Sequence, residues 1–88
     1  MEGDFDWDEA KSEWNRAHRG FGFEIVYEFD WATALIEQSS RGDELRFIAV
    51  GHGPDGLMAV VWTRRKDKIR IISVRRVHGK EARKRGFK

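Results

Sequence analysis

The sequence predicts an α+β fold: two N-terminal helices packed on an antiparallel four-stranded sheet, then a short C-terminal helix or tail. Three observations lead there. Trp7, Ala10, Trp14 and Ala17 recur at steps of three and four residues, the spacing of one helix face. Beyond residue 33 the apolar residues bunch into runs rich in β-branched and aromatic types. Short turn sequences separate the last three runs, which makes them an antiparallel meander.

Phe5 and Trp7 alternate with Asp4, Asp6 and Asp8, a pattern that suits a short edge strand or the lead-in to a helix. The first helix is expected from Trp7 or Asp8 to His18. Asp6 suits its N-cap, with Glu9 three residues on to complete a capping-box-like pair. Arg19 sets a cation at the C-terminal dipole, and Gly20 tolerates the positive φ of a helix end. A second, shorter helix opens at Gly22 or Phe23 and runs to Phe29, with Phe23, Val26, Tyr27 and Asp30 facing inward. Its Ile25, Val26, Tyr27 and Phe29 also suit a strand.

Thr33 to Glu37 is the first expected strand, and the polar stretch Ser39 to Asp43, with Gly42, is a turn. Leu45 to Gly51 is the second strand. His52 to Gly56 is the clearest turn, with Pro54, Asp55 and Gly56 at its second, third and fourth positions. Leu57 to Arg64 and Lys68 to Arg75 complete the sheet. Apolar residues on both strand faces predict cover on one side and partial protection on the other. Simple alternation puts Arg70 and Arg76 on one face and Arg75 on the opposite one. From Lys80 the chain suits a short helix, or a tail that orders on a partner.

Eighty-eight residues suit one domain, spanning 1–88, with 1–4 and 86–88 disordered. No Cys is present, which excludes disulfides, thiolate metal sites and a thiol nucleophile, and is compatible with the cytoplasm. No apolar run approaches the ~20 residues that span a bilayer, and the acidic N-terminus lacks a secretory signal core. The net charge of +2 conceals a polarity. Residues 1–63 carry five Lys/Arg and thirteen Asp/Glu, −8 in all; residues 64–88 carry twelve and two, +10 in all. A polyanion partner for the C-terminal part follows naturally, although a basic segment folded on an acidic one would also account for it.

Several motifs occur in a fixed order. They are FxWDxxK (Phe5, Trp7, Asp8, Lys11), Asn15, a His-plus-Gly helix end, FE (Phe23, Glu24), FDWxTA (Phe29 to Ala34), ExR (Glu44, Arg46), VWTRR (Val61 to Arg65) and RIISVRR (Arg70 to Arg76). The order resembles the BrnT family, toxins of BrnT–BrnA type II toxin–antitoxin systems, over Phe5 to Glu81. The chain departs from the usual pattern at His18-Arg19-Gly20, Trp62 and Val74. The resemblance implies a RelE-like fold, RNA cleavage and growth arrest. It also implies neutralisation by a BrnA-like ribbon-helix-helix antitoxin that holds operator DNA.

Metal-free RNA cleavage needs a base for the 2′-hydroxyl, a cation for the phosphorane and an acid for the leaving oxygen. No carboxylate or histidine cluster has metal-ligand spacing, so neither metal nor cofactor is expected. Arg46, Arg65, Arg70, Arg75 and Arg76 are the candidates for phosphate and transition-state charge, because a guanidinium stays charged and binds phosphate in two places. His18 or His78 suits proton transfer, being able to change charge near neutral pH; His52 belongs to a surface turn. Thr63 and Ser73 can orient a hydroxyl or phosphate, or satisfy strand neighbours. Lys11 and Arg64 suit the RNA backbone, and Trp62 a base, while Trp7, Trp14 and Trp31 read as core. Two rivals to a catalytic toxin follow from the same residues: a non-catalytic nucleic-acid or antitoxin-binding relic, and a structural domain with a Trp-rich partner surface.

Overall fold

The computed structural model describes residues 4–87. Its elements are β1 (Asp4–Trp7), α1 (Glu9–Arg19), a 3₁₀ turn (Phe23–Tyr27), β2 (Leu35–Arg41), β3 (Glu44–Gly53), β4 (Gly56–Arg65), β5 (Lys68–Arg76) and α2 (Gly79–Lys84). The sheet has five strands in the order β1-β5-β4-β3-β2. The expected meander is present as β2 to β5, and β1 adds a parallel edge strand against Lys68 to Ile71. β1 is only four residues long, too short for its alternation to stand out from a helix lead-in.

The two N-terminal helices expected from the sequence reduce to one. Between Phe23 and Tyr27 the chain makes a single 3₁₀ turn. Phe23, Val26 and Phe29 are all buried, at the three-residue spacing of that geometry. Tyr27, expected inside, is 66% exposed, and Asp30 is also exposed. The second α-helix is C-terminal. Its continuation is ordered too: Phe87 packs beside Val50, Ala59, Val77 and Ala82. Of the ends expected to be disordered, Asp4 lies in β1 and Phe87 in this cluster, while 1–3 and 88 fall outside the described residues.

α1 packs by a face other than the expected apolar stripe. Its buried residues are Ser12 and Asn15, whereas Ala10 and Ala17 are exposed and Trp14 is 51% exposed. The reason is position. Residues 21–29 already cover one sheet face, burying Phe21, Ile25 and Val26 in the same cluster as Met58, Val60 and Trp62. The helix lies beside them, along β5 beyond the end of β1. It holds the covering segment by its backbone: Phe23 N donates to Ser12 Oγ at 2.9 Å, and Asn15 Nδ2 donates to Phe21 O at 2.9 Å. The N-cap is Asp8, which accepts from Ala10 N at 2.9 Å; Asp6, expected to cap, sits in β1 instead. Gly20 closes the helix at φ 89° as expected.

β2 starts two residues later than expected and runs through Ser39 and Ser40, leaving only Gly42 and Asp43 as the turn. An edge strand tolerates this polar run because one side faces water. On β5, Val61 pairs with Ser73 but Trp62 pairs with Ile71, so Ile72 is an unpaired bulge. The bulge reverses the expected alternation. Ile69, Ile71 and Val74 share the core under residues 21–29, and Arg76 follows on that side, over the Phe21 ring. Arg70, Ser73 and Arg75 oppose Thr63, Val61 and Ala59 on the other face.

Asn15→Ala is expected to destabilise the fold by about 1–3 kcal/mol, because Phe21 O loses its buried donor. Trp14→Ala on the same helix should cost less, about 0.5–1 kcal/mol, the size of the exposed contact between its ring and Arg19. Urea unfolding midpoints of the two variants check the contrast; the apolar-stripe reading predicts the reverse order.

Candidate nucleic-acid interface

The sheet face opposite residues 21–29 is only half covered. Ala82 of α2, Val77 and Phe87 pack on Val50 and Ala59. Beside them the face stays open as a groove of about 330 Å³ bordered by Glu37, Ser39, Arg46, Ile48, Val61 and Arg85. Strand register builds its wall. Ser39, Arg46, Thr63, Arg70 and Asp6 are successive cross-strand neighbours, a row that crosses all five strands. A parallel row sets Arg75 opposite Ala59, next to α2.

Each guanidinium here is held by a carboxylate. Arg46 Nε donates to Glu44 at 2.8 Å, and Arg65 lies 3.8 Å from the same carboxylate. Arg70 pairs with Asp6 at 2.9 Å. Arg75 grips both oxygens of Glu81, at 3.0 and 2.8 Å, the fork geometry a guanidinium favours. Arg85 donates to Glu81 at 3.3 Å and lies 3.7 Å from Glu37. The hydrogen bond from Arg75, helped by Arg85, holds the Glu81 carboxyl at about 2. Arg70 lowers Asp6, and Arg46 lowers Glu44, in the same way. These acids are ionised at neutral pH and act as fixed counter-charges that orient the cations.

Among the residues singled out from the sequence, Arg46, Thr63, Arg65, Arg70, Ser73 and Arg75 are brought to this face. Thr63 is buried and its hydroxyl donates to Leu45 O at 2.6 Å, so it spaces Arg46 from Arg70 with no free donor. Arg76 is on the other side because of the bulge, donating to Arg19 O at 2.8 Å and pairing with Asp55. Arg64 opposite Ile69 also points away from the groove, into solvent. Trp62 is core, stacked on Phe47 and 2% exposed. Lys11 and His18 are on α1, and His78 is the exposed residue before α2. His52, expected in a surface turn, belongs to β3 opposite Leu57 and packs edge-on against Phe87.

The sequence reading missed Arg85, Glu81, Glu37, Glu44 and Asp6 as parts of the site. Glu81 and Arg85 carried a signal, the i,i+4 spacing of a helical ion pair. Glu37 and Asp6 carried none, because only the sheet brings them to their arginines. Among the described residues, no three His, Cys, Asp or Glu side chains converge as metal ligands.

The family model described as the ribonuclease toxin BrnT of type II toxin–antitoxin systems matches residues 7–81. The chain belongs to the BrnT family. Its structure is similar to the 1.1 Å crystal structure of the Brucella abortus ribonuclease toxin BrnT, with a TM-score of 0.70 and 25% identity, over 88% of this chain and 99% of that one. No curated protein sequence matches. BrnT membership brings with it the ribonuclease toxin class, an RNA substrate and an antitoxin partner. No helix among the described residues is long and apolar enough to cross a membrane.

The Glu81 carboxyl lies below its ordinary 4.5 in the folded chain. It therefore binds its proton more readily when unfolded, and its contribution to stability is complete above about 4.5 and lost as pH falls toward 2. Glu81→Gln should flatten the fall in unfolding free energy across that window, by the share of one proton. Urea titrations at a series of acid pH values check it.

Proposed function

We propose that this chain is a metal-independent endoribonuclease toxin that cuts RNA on the open sheet face and arrests growth. The observation that carries the reading is the placement of Arg46, Arg70 and Arg75 on one face, beside a groove that α2 leaves uncovered. A phosphate lying along the Thr63 row meets a guanidinium on either side. Charge that develops on the phosphorane is stabilised by cations whose direction is already set. In the step, the 2′-oxygen attacks phosphorus and the bond to the 5′-oxygen breaks, leaving a 2′,3′-cyclic phosphate and a 5′-hydroxyl.

The 2′-hydroxyl proton needs an acceptor. Asp6, Glu44 and Glu81 are weak bases, each held down by an arginine. Glu37 borders the groove and among the described residues meets one guanidinium, at 3.7 Å and without a hydrogen bond, so it is the carboxylate best placed to take the proton. Water protonates the leaving oxygen. His18 and His78, the proton-transfer candidates of the sequence reading, belong to α1 and to the start of α2 rather than to the arginine row. The partner in this reading is a ribbon-helix-helix antitoxin of the BrnA kind that covers the open face in the cytoplasm and carries the complex to operator DNA.

A second reading, a non-catalytic binding module, is favoured by one observation: Arg46, Arg70, Arg75 and Arg85 already donate to carboxylates. Cleavage of RNA by the purified chain in EDTA separates the two. Wild type should cut, and Arg70→Ala or Arg75→Ala should slow cutting by about 10²–10³-fold. Loss of cutting on adding EDTA would overturn the metal-free mechanism. Intact RNA and unimpaired growth on expression would establish the binding module.

A further inference from the structure

The fold uses three of the four tryptophans and leaves one in water. Trp62 is core, and Trp7 and Trp31 pack half-buried against it. Trp14 is 51% exposed on α1 and contributes nothing to that cluster. One turn on, His18 lies flat against it, with ring centroids 4.2 Å apart and 14° between the planes. His18 Nδ1 is 2.9 Å from Trp14 O. A carbonyl only accepts, so Nδ1 carries the hydrogen and Nε2 is left to the solvent. The imidazole is thus pinned to the indole with its outer surface open.

The surroundings are cationic. The Arg19 guanidinium carbon sits 5.4 Å from the Trp14 ring centre. It is anchored by Val74 O at 2.9 Å and Asn15 Oδ1 at 3.1 Å, and by no carboxylate among the described residues. Lys11, one turn before Trp14, makes no ion pair among them either. Glu13, the acid between them, is engaged by Arg16. This differs from the open face, where each arginine lies within 4 Å of a carboxylate. A cleft of about 180 Å³ runs between Lys11, Trp14 and Arg19 on α1 and Ile72 and Ser73 at the bulge. Ser73 belongs to both places, opposite Val61 on the open face and 3.4 Å from Arg19.

We infer that the Trp14–His18 stack is a platform for a base of single-stranded RNA, with Lys11 and Arg19 on its phosphates. The strand leaves the open face, rounds the edge of β5 at the bulge and lays a base on α1. Ring stacking beside uncompensated cations is how sequence-tolerant single-strand binders hold RNA. Trp14 and Arg19 would suit a protein partner as well; the cations without carboxylate partners, Lys11 and Arg19, are what favours a phosphate chain. The inference rests on the ribonuclease reading above and adds a binding subsite to it.

The test is the affinity of the full chain for a 2′-O-methyl oligonucleotide, which cannot be cut, carrying one 2-aminopurine as the stacking reporter. Trp14→Ala should weaken binding roughly five- to hundred-fold and abolish quenching of the reporter at one position along the strand. Trp14→Phe, which keeps a ring, should recover most of both. Equal affinity and equal quenching in wild type and Trp14→Ala, while wild type still cuts all-ribose RNA, overturn the platform and leave the ribonuclease standing. Loss of antitoxin binding by Trp14→Ala with RNA affinity unchanged also overturns it, and assigns the patch to the protein partner. If wild type neither binds nor cuts RNA, both readings fall together.

Discussion

One unpaired residue, Ile72, governs the distribution of side chains along β5. Before it, odd-numbered residues face the core and even-numbered ones the groove; after it the parity is reversed. Val74 is thereby buried with Ile69 and Ile71, while Arg75 joins Arg70 on the open face. Without the bulge, register would put Arg75 under residues 21–29 and leave Val74 in water. Burying an unpaired guanidinium there is prohibitive, so packing and site geometry enforce the same register. Two residues past the bulge, Arg19 of α1 donates to the Val74 carbonyl.

Part of the charge polarity of the chain is consumed inside the molecule. Asp6 and Glu44 from the acidic part neutralise Arg70 from the basic part and Arg46, and Glu37 reaches Arg85. The open face is therefore a set of oriented dipolar pairs more than a plain cationic surface. In the proposed reaction a phosphate shares each guanidinium with its carboxylate. What the pairing contributes is direction, because a held guanidinium needs no reorganisation when charge develops beside it. Glu81 is central, since it holds Arg75 and Arg85 together and ties α2 to the sheet.

α1 illustrates a second economy. Its inner side is Ser12 and Asn15, short polar groups that hold the backbone of the covering segment. This leaves about half of the large indole of Trp14 on the outside. The apolar periodicity of the helix was real but described that outer side, because the core had already been filled by residues 21–29.

The meander, the turn at Pro54 and Asp55, the Gly20 helix end and the family are legible in the residues alone, since each depends on local chemistry or on motif order. The sequence also pointed to Arg46, Arg70 and Arg75. The tertiary structure alone decided which arginines share a face, which helix side is buried and which carboxylates complete the site. Each of these depends on register or on what has already covered a surface. A one-residue bulge has no periodic signature, and Asp6 meets Arg70 only because β1 pairs with a strand more than sixty residues away.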